Sequence, residues 1–147
     1  MEQLVWDQLV YGGQVLLAMV LGALLGWQRA RWGKSAGPRT YALVTAGSTL
    51  FTLLSRHGYE VSSAGSANIA AQIITGIGFL GAGLIFHREN HVDGLTTAAG
   101  LWASAAVGMA VGLSFYLLAI LTTFIIFFVL MMNEQKLSLT EQDGQKK

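Results

Sequence analysis

The sequence predicts an all-α integral membrane protein, a compact bundle of about five transmembrane helices with its N-terminus outside and its C-terminus cytoplasmic. Three observations carry this fold class. Of 147 residues only 12% are charged and 53% are hydrophobic, whereas a soluble domain carries about 25% charged residues. Five stretches all but lack Asp, Glu, Lys and Arg, and each approaches the roughly 17–25 residues that cross a bilayer. The basic residues are segregated to one side of those stretches.

The first span is expected over 8–27, the second over 40–55, the third over 69–86, the fourth over 95–113 and the fifth over 115–132. Together 1–132 make one transmembrane domain, and 133–147 a short polar cytoplasmic tail. With the N-terminus outside, Arg29, Arg31, Lys34 and Arg39 fall inside in the first loop, Arg88 in the third, and Lys136, Lys146 and Lys147 in the tail. Only Arg56 is left outside, which satisfies the excess of Lys and Arg found in cytoplasmic loops. The first ten residues hold Glu2 and Asp7 and no basic residue, unlike a secretory signal.

Each span has its own character. The first carries a small-xxx-small pair, Gly22 and Gly26. The second is short. In the third, Ala71, Thr75, Gly78 and Ala82 share one helical face, with Gln72, Gly76 and Gly83 on the next. The fourth continues with Thr96, Thr97, Gly100, Ser104 and Gly108, and the fifth is bulky on all faces, as a lipid-facing helix would be. Small residues let helices approach closely in lipid. The first, third and fourth spans are therefore expected to form a tight central group, with Gly22, Gly26, Gly76, Gly78, Gly81 and Gly83 as packing positions.

Several classes of function are set aside by composition. There is no cysteine, hence no disulfide framework and no thiolate chemistry. No basic stripe suggests nucleic acid. No nucleophile, base and acid come together, so an enzyme is not expected. Gly76 to Gly81 matches G-x-G-x-x-G, but it lies within an apolar helix and lacks the strand and following acid of a dinucleotide site.

The polar residues that remain are the candidates for function. Gln72 lies deep in the third span, where an unpaired amide costs several kcal/mol. It is expected either to hydrogen-bond another helix, with Gln14 as partner, or to serve as a ligand or gate. In the loop 87–93, Glu89 and Asp93 offer hard oxygens suited to Mg²⁺, and His87 and His91 stand four apart, as zinc ligands on a helix do. The plainer reading is a charged cytosolic loop, with Asp93 and Thr96 at the start of the fourth helix. Arg29 and Arg39 are expected to pair with Glu89 or Asp93 across the two inner loops. No Asp or Glu lies deep in any span, which argues against passage of Mg²⁺.

These residues carry a resemblance. Leu21-Gly22-Ala23-Leu24-Leu25-Gly26, Lys34-Ser35-Ala36-Gly37-Pro38-Arg39-Thr40, the run from Ala71 to Gly83, and Gly94-Leu95-Thr96-Thr97-Ala98-Ala99 resemble the MgtC/SapB family of bacterial inner-membrane proteins. The likeness extends from about Val20 to Gly112, and the chain resembles the short, SapB-like form. Two positions depart from the family pattern. Gln28 stands where an acid usually precedes Arg29, and Asn68 near a place often held by Arg. The resemblance implies a plasma-membrane protein linked to magnesium limitation and, in pathogens, to survival in host cells. It implies a non-enzymatic regulator acting through other membrane proteins, an F-type ATP synthase among them. The alternative is a transporter or channel for Mg²⁺ or another cation, with Gln72, Glu89 and Asp93 on its route. The lipid bilayer and a second copy of the chain are the other expected partners, and no resident cofactor is expected beyond Mg²⁺ itself.

Overall fold

A computed structural model describes residues 1–57, 63–88 and 91–132. Five helices account for most of them. They are α1 (Glu2–Arg31), α2 (Pro38–His57), α3 (Ser63–Ala82), α4 (Leu95–Gly112) and α5 (Tyr116–Met132). A short antiparallel hairpin, β1 (Phe86–Arg88) with β2 (His91–Asp93), joins α3 to α4. Two helices, α1 and α4, are long and apolar enough to cross a membrane, and α3 and α5 contain shorter apolar segments.

The helices run up and down. The C-terminal ends of α1 and α5 meet the N-terminal ends of α2 and α4, since Gln28 reaches Leu130 and Arg29 reaches Thr97. The opposite end is marked by Gln14 of α1 against the α4–α5 turn. Two apolar clusters fill the space between. Leu25, Tyr41, Val44, Ile73, Ile77 and Leu101 pack towards the first end, and Ala18, Leu21, Val107, Val111 and Ala119 towards the second.

The pattern of burial is inverted relative to a water-soluble bundle, which hides its large apolar side chains and exposes its hydroxyls. Here Thr45, Thr49, Thr97, Ser104 and Thr123 are fully buried, while Leu117, Phe124, Ile125 and Phe128 of α5 point outwards. A chain that meets hydrocarbon gains nothing by hiding large apolar groups, and packs its small and polar ones instead. The expectation of an outer fifth helix holds, for α5 buries only Ala119, Thr123 and Leu130.

The central trio is not the expected one. It is α1, α2 and α4, with α3 packed on α2 and α4. The reason lies in α2, whose Thr45, Ser48, Thr49, Thr52 and Ser55 form a buried hydroxyl face. Thr45 Oγ1 donates to the Ala18 carbonyl of α1 at 2.7 Å, and Thr49 Oγ1 to the Gly108 carbonyl of α4 at 2.7 Å. Glycines make room for this approach. A Cβ at Gly22 would stand 2.6 Å from the Tyr41 carbonyl, one at Gly26 2.6 Å from the Gly37 carbonyl, and one at Gly112 2.7 Å from Thr52 Cβ. At Gly108 it would run into the Thr45 carbonyl. By contrast, nothing among the described residues lies within 4 Å of a Cβ at Gly76 or Gly78, and Gly81 meets Ala98 at an ordinary 3.7 Å. Gly83 lies in the turn after α3 and touches only that helix's own Phe79 and Leu80 carbonyls.

The third helix ends earlier than its apolar run suggests. Gly83 and Leu84 close α3 with short-range hydrogen bonds to Phe79 and Gly81, and the chain then extends into β1. His87 faces Val92 and Arg88 faces His91 across the hairpin, so the two histidines do not share a helix face as the spacing suggested. Asp93 stands just before α4, as expected, and the N-cap position itself belongs to Gly94, with φ 86°, where a Cβ would collide with the Leu84 carbonyl. The tight turn expected near Ser114 is present. Ser114 takes φ 66°, and Phe115 and Ser114 donate to Ala110 and Val111 in the pattern of a Schellman cap.

Valine matches threonine in shape and lacks its hydroxyl, so Thr49→Val removes the interhelical hydrogen bond to Gly108 together with the intrahelical one to Thr45. We expect it to lower the unfolding free energy in detergent by about 0.6 kcal/mol and at most about 1.7 kcal/mol. Denaturant titration of the purified protein measures this, and an increase in stability would contradict the assignment.

Candidate functional site

The most unusual group in the bundle is Arg29, in the last turn of α1, with only 1% of its surface exposed. Charges are rarely hidden so completely without partners, because desolvation costs several kcal/mol per ion. Its Nη2 donates to Thr97 Oγ1 of α4 at 2.8 Å. Beside it, Tyr41 of α2 is fully buried and donates its hydroxyl to the Thr97 carbonyl at 3.1 Å. Gly100, one turn along α4, lacks the Cβ that would stand 2.7 Å from the Tyr41 hydroxyl. Gln28, 3% exposed, donates through Nε2 to the Leu130 carbonyl at 3.1 Å. That carbonyl is one of the last four of α5, which have no partner within their own helix. Four helices are thus tied together around one guanidinium.

Local sequence explains why the site forms here. Basic residues near a helix C-terminus are favoured by its dipole, and α1 ends on Arg29 and Arg31. Arg31 turns outwards, with its guanidinium 4.6 Å from the centre of the Trp27 ring. Gly33, at φ 64°, reverses the chain after α1, and Pro38, whose fixed φ suits the first helical position, opens α2. The short loop so formed carries Tyr41 back over the end of α1. The Gln28 Oε1 is buried and accepts no hydrogen bond among the described residues. What the arrangement supplies is a buried guanidinium and a clasp.

The candidate residues divide between this clasp and other places. Gln28, Arg29 and Thr97 come together. Arg39 is exposed in the first turn of α2, Thr96 is exposed, and Asp93 is exposed at the end of β2. Glu89 lies outside the described residues, and so does the side chain of Asn68, which stands on α3. Among the described residues no group of three or more His, Cys, Asp or Glu could hold a metal ion. Gln72 does not meet Gln14. It is exposed on α3, which packs on the far side of α2 and α4, whereas Gln14 is buried and bonded to Ser114 Oγ at 3.1 Å and to the Tyr116 hydroxyl. The residues that sequence reasoning missed are Tyr41 and the Leu130 carbonyl. A tyrosine two residues after the loop cation Arg39 was the available signal for the first. A backbone acceptor leaves none.

Removing the Thr97 hydroxyl while keeping its shape strips a buried hydrogen bond from a charged group, which is worth about 1.5–3 kcal/mol. Thr97→Val is therefore expected to lower the unfolding free energy by about 2 kcal/mol, while Thr96→Val, on the exposed neighbour, changes it by less than about 0.5 kcal/mol. Denaturant titration of the two variants side by side checks this, and equal effects would contradict the clasp.

Comparison with known proteins agrees with the sequence motifs. The MgtC family model matches residues 15–138. An uncharacterized protein of Haemophilus influenzae is 41% identical over 128 residues, covering 82% of this chain and 54% of its own length. The "Putative magnesium transporter YhiD" of Escherichia coli K12 is 42% identical over 113 residues, 73% of this chain and 53% of that protein. "Protein MgtC" of Salmonella typhimurium LT2 is 46% identical over 112 residues, 76% of this chain and 47% of that protein. The chain thus spans about half the length of the curated relatives it matches. No solved structure matches it. With more than half of its residues matched by one family model, and with relatives above 40% identity, the chain belongs to the MgtC family.

Proposed function

We propose that this is a multi-pass protein of the bacterial inner membrane, N-terminus outside and C-terminus cytoplasmic, that regulates other membrane proteins by binding them and has no enzymatic activity. The observation that carries the reading is the hydroxyl face of α2, bonded to its own and neighbouring helices. The hydroxyls of α2 that could line a polar path are spent on helix carbonyls, among them Thr45 on Ala18 and Thr49 on Gly108. Gly22, Gly108 and Gly112 bring the three central helices into contact. Arg29 occupies the end that the basic residues place in the cytoplasm. An ion pathway needs acidic groups or backbone carbonyls turned towards a wet cavity. Mg²⁺, which gives up its water reluctantly, demands oxygen ligands in return.

Regulation by contact requires outward surfaces, and α3 and α5 provide them. The resemblance to the family makes an F-type ATP synthase one candidate partner, and magnesium limitation the condition under which the contact matters. The second reading, a transporter for Mg²⁺ or another cation, is favoured by the name of the E. coli relative and by Gln72, which lines a groove between α2 and α3. Its route would follow that groove towards Asp93 and Glu89.

Uptake of Mg²⁺ into proteoliposomes holding the purified protein separates the two. The regulator reading expects uptake no faster than in empty vesicles. Saturable uptake that is lost in Gln72→Leu would overturn it in favour of transport.

A further inference from the structure

Gln72 has no hydrogen-bond partner among the described residues, although it stands near the middle of α3, nine residues from Ser63 and ten from Ala82. At about 1.5 Å per residue that is roughly 14 Å from either end. Gln14 and Gln28, by contrast, are buried and bonded. In hydrocarbon there is no water to serve an exposed amide, and leaving it unserved costs several kcal/mol. The described residues supply no partner, which points to one from outside the chain.

We propose that the protein forms a two-fold dimer in the membrane, with α3 of one protomer packed on α3 of a second copy and the two Gln72 amides hydrogen-bonded to each other. The inference rests on the membrane-spanning reading of α3. An amide carries both donor and acceptor, so two identical amides satisfy one another reciprocally, as a two-fold axis requires. All copies lie the same way in the membrane, so each Gln72 meets its mate at the same depth. A different membrane protein would need a matching polar group at that level, whereas a second copy carries one by construction.

The surroundings of Gln72 are self-complementary as well. Gly76, one turn on, has nothing within 4 Å of a Cβ, which leaves its backbone open to a close neighbour. Thr75 brings no competing demand, because its hydroxyl is bonded to the Ala71 carbonyl at 3.0 Å. Phe79, two turns from Gln72 on the same side, is 81% exposed and forms a ridge. Immediately beside this ridge lies an apolar groove of about 550 Å³ between α2 and α3, lined by Leu43, Gly47, Phe51 and Gln72 itself. A ridge and a groove side by side on one helix fit a rotated copy of themselves, each Phe79 facing the other protomer's groove.

The absence of cysteine permits a clean test. Gln72→Cys, Gly76→Cys and, as a lipid-facing control on α5, Leu121→Cys are each expressed and oxidised in native membranes. We expect disulfide-linked dimers from the first two and none above background from the third. Adding Gln72→Leu to Gly76→Cys should lower the yield several-fold. Retention in the membrane through an alkaline carbonate wash with no crosslink above the control overturns the dimer alone. Release by that wash overturns the membrane reading and the dimer with it. A disulfide from position 72 to another protein in place of a second copy also overturns the proposal.

Discussion

The fold depends on one contact, the hydroxyl face of α2 pressed between the glycines of α1 and α4. In water a helix is held by burying large apolar side chains. In lipid that gain disappears, and attraction must come from close packing and from hydrogen bonds. Thr45 and Thr49 reach carbonyls of α1 and α4 because Gly22 and Gly108 let the backbones come near. Each hydroxyl bond is worth little by itself, since the acceptor carbonyls belong to helices already. The packing and the bonds need each other, and together they hold the centre of the bundle tight.

That tight centre governs what the rest of the molecule can do. It places Arg29 where four helix ends converge, tied to Thr97 and flanked by Tyr41 and Gln28. A buried charge is by itself poor evidence of added stability, because desolvation offsets the attraction. Its consequence is geometric. The clasp ties four helix ends together, and the helices that remain open to the outside, α3 and α5, carry the surfaces for contact. The regulator reading rests on this division between a tightly bonded centre and an outward-facing α3.

Much of the architecture was legible in the sequence because lipid imposes simple rules. The charge gaps marked the helices, and the bulky run in α5 marked an outer helix. The centre was less legible, for two reasons. The hydroxyls of α2 read as a polar, short segment, when their polarity is the reason α2 is central. The glycines of α3 look like those of α1 and α4 in composition, yet Gly76 and Gly78 open outwards while Gly22 and Gly108 are in contact. Composition reports a capacity for close approach and not what does the approaching. The hairpin between α3 and α4 was hidden for a related reason: Ile85 and Phe86 extend the apolar run past the point where Gly83 ends the helix. In the candidate site, Gln28, Arg29 and Thr97 stood out as polar residues at span ends, but their convergence, and the part of Tyr41, arise only when α1, α2 and α4 are brought together.

The most direct test of the central contact compares glycines of one chemical kind in two environments. Unfolding of Gly22→Val and Gly108→Val, whose new side chains meet α2, is measured in detergent beside that of Gly13→Val and Gly47→Val, where an added Cβ meets nothing within 4 Å among the described residues. The account predicts losses of about 1–3 kcal/mol or more at Gly22 and Gly108, with Gly13 and Gly47 little changed. Equal losses at all four positions, or none at Gly22 and Gly108, would contradict it.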